Sequence, residues 1–231
     1  MNWYFLVVFM EELRKINIIY EDNHIIVVEK PINMPVCLDS SNDRDLLTIL
    51  KEYIKKKYNK PGNVYLGLVH RLDRPVGGIM VFARTSKAAG RLSSQVRDNK
   101  LEKYYYAVLD GKAQSRGELV DYLYKDKNIN MSFVTDSNKG KLSKLSYELI
   151  SYKKKFSLVR IKLSTGRSHQ IRVQFSSRNL PLVGDAKYNR NSDNKTNIAL
   201  FAYKLCFYHP VTKEKLCFEL PLPKRYPFNI F

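Results

Sequence analysis

The sequence predicts an α+β protein built on a large, mainly antiparallel sheet that is flanked by helices and loops. Short β-branched and aromatic runs greatly outnumber helical patterns, and most follow one another directly along the chain. Two of these runs alternate apolar and polar residues, with the apolar positions at Leu145, Tyr147 and Leu149 and then at Val159, Ile161 and Leu163. Such alternation is typical of paired strands with one buried face and one solvated face.

The first 15 residues are expected to form an N-terminal extension, followed by one domain over residues 16–231. The apolar run from Trp3 to Met10 lacks a basic n-region and a small-residue cleavage site, and it is too short to span a bilayer. We therefore expect no signal peptide and no membrane association. Met10 is an alternative start of the natural protein, and no linker long enough to divide the rest is evident.

The first third of the chain predicts a hairpin and a helix. INIIYEDNHIIVVEKP has two β-branched runs around a turn-forming Glu-Asp-Asn, which indicates a hairpin that ends at Pro31. SNDRDLLTILKEYIKKKYNKPG has apolar residues at helical spacing and lysines in the last turn. We expect Asn42 or Asp43 to cap this helix.

The remaining elements follow in order. VYLGLVH and GIMVFART predict strands on either side of a loop at residues 70–77, and SKAAGRLSSQVRDNK predicts a helix capped by Thr85 or Ser86. KYYYAVLDG predicts a strand, and LSTGRSHQIRVQFSSRNLP predicts a short helix. Its cap is expected among Ser164, Thr165 and Ser168. IALFAYKLCFYHP and KLCFELPLP predict a final strand pair.

The charge of the chain favours a polyanionic partner. Forty Lys and Arg against 22 Asp and Glu give a net charge of +18. An excess of this size raises the local concentration of a polyanion and steers its approach, which makes nucleic acid the leading partner. A lysine-rich surface that only confers solubility is the alternative reading.

The three cysteines, Cys37, Cys206 and Cys217, predict neither a disulfide framework nor a zinc site. They show no C-x-x-C spacing, and no paired histidines accompany them. We expect buried or idle thiols in a reducing cytoplasm, and no bound metal.

The stretch VHRLDRPVGG, residues 69–78, carries the densest chemistry in the sequence. Pro75 and the glycines that follow indicate a loop of specified shape, because glycine permits unusual torsions and close backbone approach. Flanking arginines should lower the pKa of Asp73 and keep its carboxylate ionised. On these residues alone, a surface salt bridge or an Asx turn is an alternative for Asp73, and a structural hydrogen bond is one for His70.

Five ordered motifs resemble the RluA family of RNA pseudouridine synthases. They are HRLDRPVGG, KYYYAVLDG, LSTGRSHQIRVQF, PLVGDAKY and ALFAYKLCFYHP, and INIIYEDNHIIVVEKP fits as well, so the similarity covers about residues 16 to 223. The resemblance implies a pseudouridine-synthase-like catalytic domain that detaches uracil from its ribose within RNA and rejoins it through carbon 5. It implies no cofactor and no metal. The N-terminal RNA-binding module that many relatives carry is not expected here.

The resemblance also implies the catalytic residues. Asp73 matches the aspartate that acts on the target nucleotide, either covalently or by stabilising a charged sugar. Tyr105 matches the tyrosine that packs against the flipped base. Arg172 matches the arginine that pairs with the catalytic carboxylate, which a bidentate guanidinium would keep charged and aimed.

Further basic residues are expected to bind the substrate. Arg71 matches a residue associated with displacing the flipped nucleotide, a role that suits a cation able to stack and to contact phosphate. The other candidate substrate-binding residues are His70, Arg74, Arg167 and His169. Gly184 and Asp185 are expected to be structural.

We therefore predict a cytoplasmic, monomeric isomerase that acts on ribosomal or transfer RNA. A non-catalytic RNA-binding protein of the same fold is the alternative, although it offers no reason for an arginine-paired aspartate beside a base-stacking tyrosine. A glycoside hydrolase also attacks an anomeric carbon, but it usually requires two positioned carboxylates, and the motifs offer only Asp73.

Overall fold

The structure, a computed structural model, describes residues 11–39, 41–193 and 195–231. The helices are α1 (Leu46–Lys57), α2 (Ser86–Arg97) and α3 (Gln170–Ser176), with helical residues at 11–14 and a 3₁₀ turn at Phe228–Ile230. The strands are β1 (Asn17–Glu21), β2 (Ile25–Lys30), β3 (Gly67–Leu68), β4 (Gly77–Ala83), β5 (Glu102–Asp110), β6 (Arg116–Asp126), β7 (Met131–Thr135), β8 (Lys141–Lys153), β9 (Phe156–Leu163), β10 (Leu200–Tyr208) and β11 (Lys215–Glu219). The predicted α+β class, with its large and mainly antiparallel sheet, is confirmed.

The chain divides into two compact units. Unit one holds the described residues up to Leu101 together with Leu205–Glu219, and unit two holds Glu102–Lys204 with Leu220–Phe231. The prediction of one domain over residues 16–231 stays a prediction, and residues 1–10 of the expected extension lie outside the described residues. No helix in the described ranges is long and apolar enough to cross a membrane.

Unit one is built on the predicted N-terminal hairpin. Strand β1 pairs with β2, β2 pairs with β4, and β3 also pairs with β4, all of them antiparallel. Every residue of β4 is buried, as are four consecutive residues of β2 from Ile25 to Val28. Helix α2 packs against β3 and β4. The order of these elements places a fully buried strand directly after the HRLDRPVGG loop.

Helix α1 begins two or three residues later than the sequence suggested, because its predicted cap was Asn42 or Asp43. Its N-cap is Asp45, whose carboxylate accepts hydrogen bonds from the Thr48 backbone N–H at 3.0 Å and the Thr48 hydroxyl at 2.7 Å. The expectation of Asn42 or Asp43 as cap was wrong because Asp43 instead contacts Arg74. The basic last turn, with Lys55, Lys56 and Lys57, is confirmed.

Unit two is an antiparallel sheet with a helix packed on it. Its strands follow the order β5, β9, β8, β6, β7, and the alternating patterns predicted for β8 and β9 are confirmed. Helix α3 packs against β6 and β7. A separate buried cluster joins Val108, Leu158, Val183, Ala199, Phe201, Tyr203 and Phe228.

The expectation of idle thiols was wrong for two of the three cysteines. Cys206 on β10 and Cys217 on β11 form a disulfide with an S–S distance of 2.13 Å and a Cα–Cα distance of 4.2 Å, whereas Cys37 is free. The two residues lie 11 apart in sequence, and they meet because β11 pairs with β10. The pairing of β11 with β10 brings them together, and the spacing of the cysteines in the sequence does not predict this bond.

Candidate active site

The predicted loop lies between β3 and β4 and presents Asp73 from unit one. The Val76 backbone N–H donates to the Asp73 carbonyl at 2.9 Å and closes a turn around Arg74 and Pro75. Asp73 is half-buried, and Arg71 is exposed. A defined backbone turn therefore positions Asp73 just before the buried strand β4.

The glycines that end the loop are required by the geometry. A Cβ at Gly77 would lie 3.0 Å from Cγ2 of Ile32 and 3.2 Å from the Lys30 carbonyl oxygen. Gly78 has a φ of 125°, a conformation that other residues rarely adopt. The prediction of close backbone approach and unusual torsions after Pro75 is confirmed.

A buried lysine holds this loop from beneath. The Nζ atom of Lys30, which is fully buried, donates to the carbonyl oxygens of Pro31 at 2.8 Å, Met34 at 2.7 Å and Arg74 at 3.0 Å. Burial lowers the pKa of Lys30 to about 7, while the charge of Asp73 acts in the opposite direction. Lys30 thus ties the loop to the end of β2 and places a cation within the electrostatic reach of Asp73.

Arg74 and His70 hold the loop from its two sides. The Arg74 guanidinium contacts Asp43, donates to the Ser41 hydroxyl at 2.7 Å and lies 3.5 Å from Asp39. His70 Nε2 accepts from the Val81 backbone N–H of β4 at 3.1 Å, which requires a neutral ring with its proton on Nδ1. The structural hydrogen bond considered for His70 is present, and substrate contact by either residue stays a prediction.

Tyr105 lies on β5 of unit two, opposite Ile161 of β9, and is largely buried. Its neighbours Tyr104 and Tyr106 point to the other face, where both rings contact Tyr203 with centroid distances of 6.4 and 3.8 Å. The strand predicted for KYYYAVLDG is confirmed. The two faces of β5 therefore have different surroundings. Tyr104 and Tyr106 pack against the core cluster, whereas Tyr105 is not part of that cluster.

Arg172 of α3 forms a buried bidentate pair with Asp185. Its Nε donates to Oδ2 at 2.8 Å and its Nη2 to Oδ1 at 2.7 Å, and the two side chains are only 5% and 0% exposed. The guanidinium also lies over the Tyr188 ring, 5.2 Å from its centroid. Such a pair leaves little rotational freedom, so the remaining N–H groups of Arg172 point in fixed directions.

Gly184 directly precedes Asp185, at a position where a side chain would meet backbone atoms. Gly184 has a φ of 72°, and a Cβ there would lie 2.6 Å from the carbonyl oxygens of Thr196 and Asn197. Asp185 Oδ1 additionally accepts from the backbone N–H groups of Lys187 at 3.1 Å and Tyr188 at 3.2 Å. The expectation that these two residues are structural is refined, because Asp185 orients a predicted catalytic side chain.

His169 is the N-cap of α3 and has a φ of 53° with no side-chain capping bond, so the predicted cap among Ser164, Thr165 and Ser168 was wrong. Its Nδ1 lies 2.8 Å from the Tyr188 hydroxyl, which accepts from the Ser132 N–H at 2.7 Å. The Tyr188 hydroxyl therefore links His169 to the backbone of β7. His169 is thereby held in a fixed orientation.

Gln170 shapes the loop before α3. Its buried Oε1 accepts from the Thr165 hydroxyl at 2.8 Å and the Arg167 N–H at 3.0 Å, while its Nε2 donates to the Lys144 carbonyl at 3.1 Å. The exposed Arg167 guanidinium donates from Nε to the Leu142 carbonyl at 3.1 Å. This motif is therefore rigid at the backbone and cationic at its surface.

The structure groups the predicted residues into two sets. His70, Arg71, Asp73 and Arg74 share one loop of unit one, and Tyr105, Arg167, His169 and Arg172 belong to β5 and the α3 region of unit two. The predicted pairing of Asp73 with Arg172 stays a prediction.

Sequence reasoning did not predict the burial of Lys30 and Lys103 or the pairing of Asp185 with Arg172. Burial lowers the pKa of Lys103, and a Cβ at Gly166 would lie 2.8 Å from its Nζ. The lysine of VVEKP and the aspartate of VGDAKY carried no sequence signal for contact with the site, since each contact depends on the tertiary fold.

Comparison with known proteins gives a consistent result. The family described as RNA pseudouridylate synthase matches residues 24–177. A ribosomal large subunit pseudouridine synthase D from Zymomonas mobilis is 32% identical over 90% of this chain and 70% of its own length. A ribosomal large subunit pseudouridine synthase C from Buchnera aphidicola is 33% identical over 89% of this chain and 66% of its own length.

Solved structures share the fold. The human RNA pseudouridylate synthase domain containing 4 protein superposes with a TM-score of 0.80, covering 98% of this chain and 96% of its own at 21% identity. The human domain containing 1 protein superposes with a TM-score of 0.73 over 90% of this chain and 85% of its own at 23% identity.

Proposed function

This chain belongs to the RNA pseudouridylate synthase family, and from that premise we propose that it isomerises a uridine of large-subunit ribosomal RNA. Membership of this family makes the chain an isomerase that converts uridine to pseudouridine in RNA. The choice of ribosomal RNA is supported by the similarity to ribosomal large subunit pseudouridine synthases from Zymomonas mobilis and Buchnera aphidicola. Transfer RNA is the alternative substrate.

We propose that Asp73 acts on the ribose of the extruded nucleotide, with Tyr105 against its base and Arg172 as a fixed guanidinium. In the reaction the N1–C1′ bond breaks, the C5–C1′ bond forms, C5 loses its hydrogen to solvent and N1 gains a proton. The observation that carries the proposal is the built loop, in which Lys30, Gly77 and the turn to Val76 hold Asp73 in place. An aimed carboxylate is what a reaction at one sugar requires.

Base flipping, a cytoplasmic location, a monomeric enzyme and independence from cofactors are further parts of the proposal. Extrusion of the base costs a few kcal/mol, which a cation such as Arg71 would offset by contacting the displaced strand. The exposed position of Arg71 on the Asp73 loop is compatible with this task.

The test is Asp73→Asn, which keeps the shape of the side chain and removes its charge. We expect pseudouridine formation to fall at least about a thousandfold, as is typical when an essential nucleophile or charge is removed. The measurement is tritium release from ribosomal and transfer RNA transcripts that contain [5-³H]uridine. RNA affinity should change little, because Asp73 contributes no attraction to phosphate.

Asp126→Asn is the matched control. The Asp126 carboxylate lies at the end of β6 and accepts a hydrogen bond from the Asn128 backbone N–H. It should retain wild-type turnover. Normal turnover by Asp73→Asn would refute the assigned role, and a wild-type protein that binds RNA without releasing tritium would support the non-catalytic alternative. Release from transfer RNA alone would replace the proposed substrate.

A further inference from the structure

Unit one contains a cleft that shares no residue with the site described above. It has a volume of about 570 Å³ and lies between the C-terminal half of α2 and the turn that joins β10 to β11. Its lining includes Arg91, Gln95, Asp98, Lys100, Tyr208 and Lys213. Sites of this volume commonly hold organic ligands.

The floor of the cleft is held by two side chains of α2. The Gln95 amide donates to the Tyr208 carbonyl at 2.6 Å and accepts from the Tyr208 backbone N–H at 2.8 Å. Arg91 donates from Nη1 to the Pro210 carbonyl at 2.7 Å. Both backbone groups of Tyr208 are therefore satisfied by α2, and this edge of β10 is fixed in place.

The turn that carries Lys213 is equally well ordered. The His209 N–H donates to the Glu214 carbonyl at 2.8 Å, and the Lys213 N–H donates to the His209 carbonyl at 3.1 Å. The buried His209 ring accepts at Nδ1 from the Thr212 N–H at 3.0 Å and contacts Asp22 through Nε2 at 2.9 Å. The cleft is thus formed before any ligand binds, which lowers the entropic cost of binding.

The charge and the aromatic surface of the cleft indicate its ligand. Three cations line it against one carboxylate, Asp98, which lies 3.8 Å from Arg97 Nε. The exposed Lys100 side chain makes no hydrogen bond or ion pair with any residue that the structure describes. Tyr208 is 42% exposed and presents an aromatic surface. Cations beside an exposed ring are the combination that binds phosphate and stacks a base in single-stranded nucleic acid.

We propose that this cleft binds an unpaired nucleotide of the RNA substrate, with its base on Tyr208 and its phosphates on Lys100 and Lys213. The proposal rests on the proposed function in taking RNA as the ligand. It adds a contact remote in sequence from the Asp73 loop, and this contact contributes affinity through charge and stacking. Base identity has little influence, because every base has a face that can stack.

The test compares Tyr208→Ala with the double variant Lys100→Ala/Lys213→Ala in the full chain. Binding of fluorescein-labelled oligouridylate is measured by anisotropy over a series of salt concentrations. Tyr208→Ala should raise Kd about tenfold without changing the salt dependence. The double variant should raise Kd and flatten the slope of log Kd against log salt by about 1.4, the value for two phosphate contacts on a single strand.

Two controls isolate the cleft. Lys87→Ala/Lys139→Ala removes the same charge from exposed positions on α2 and on the turn before β8, and its Kd should stay within about twofold of wild type. Tyr208→Phe keeps the aromatic face and should bind like wild type. The proposal is overturned if the cleft double variant behaves like the control double variant, or if Tyr208→Ala binds with wild-type affinity.

The outcome is separable from that of the proposed function. Tritium release by the wild-type protein decides whether the chain is the proposed synthase, and the anisotropy comparison requires no turnover. Wild-type turnover with unchanged Kd in the cleft variants overturns only the cleft. Wild-type binding that depends on the cleft residues, without turnover, supports the cleft and refutes the function.

Discussion

Arg172 and Asp185 show how one buried pair of side chains orients a residue that is predicted to be catalytic. A buried guanidinium without its carboxylate would be an uncompensated charge. Removing one partner of such a pair therefore lowers stability by several kcal/mol, although the whole pair adds little stability compared with apolar residues at the same positions. The backbone N–H groups of Lys187 and Tyr188 fix Asp185 in turn. The orientation of Arg172 is therefore set by residues more than ten positions away in sequence.

Asp185→Asn should lower the free energy of unfolding by about 3 kcal/mol, because it removes the carboxylate that compensates the buried charge of Arg172. Urea denaturation followed by circular dichroism measures this change. Glu148→Gln is the matched control, since Glu148 forms an exposed pair with Arg160 at 2.9 Å, and its loss should cost under about 1 kcal/mol. Equal costs for the two variants would contradict the role assigned to Asp185.

The β10–β11 hairpin shows that strand propensity alone does not determine which of its residues meet. Its apolar runs predict strands, but the disulfide between Cys206 and Cys217 depends on the register in which they pair. The same hairpin carries Tyr208 and Lys213 of the cleft. The disulfide restricts the unfolded conformations of the hairpin. It therefore also supports the part of the cleft that the hairpin carries.

Reduction by dithiothreitol should lower the free energy of unfolding by about 3 kcal/mol, the chain-entropy value for closing a loop of this length. The Cys206→Ser/Cys217→Ser variant should show the lower stability with and without reductant. Cys37→Ser keeps the bond and should respond to dithiothreitol like wild type. Wild-type stability that is indifferent to the reductant would contradict the disulfide.

The charge of the molecule is mainly a surface property, and Lys30 is one of the few buried charged residues in the part of the chain that the structure describes. The net charge of +18 suits a protein that approaches RNA, yet one lysine is fully buried under the Asp73 loop. Its pKa of about 7 lies below the ordinary lysine value of 10.5. Over that window the unfolded chain binds the proton and the folded chain releases it, so folding is linked to pH through this side chain.

Stability should rise with pH between about 7 and 10.5 through Lys30, because the unfolded state then binds more protons than the folded state. The slope is at most about 1.4 kcal/mol per pH unit. Urea denaturation of wild type and Lys30→Met at several pH values in this window isolates the contribution, since all other groups are shared. Parallel pH profiles of the free energy of unfolding for the two proteins would contradict this contribution of Lys30.

Much of the fold could be predicted because its signals are local. Alternation in β8 and β9, the hairpin turn before β2 and the lysine-loaded end of α1 each depend on neighbours within a few positions. The caps of α1 and α3 were predicted wrongly because competing partners decided them. Asp43 contacts Arg74, and the chain enters α3 through the positive φ of His169.

By itself, the sequence determined the class of fold, the positive charge and the motifs that carry Asp73, Tyr105 and Arg172, because periodicity, composition and motif order need no knowledge of distant contacts. Only the tertiary structure decided that Lys30 supports the Asp73 loop, that Asp185 orients Arg172 and that Cys206 meets Cys217. Each of these contacts joins residues whose separation in sequence carries no signal. Strand register and loop closure, which many weak interactions set together, bring them into contact.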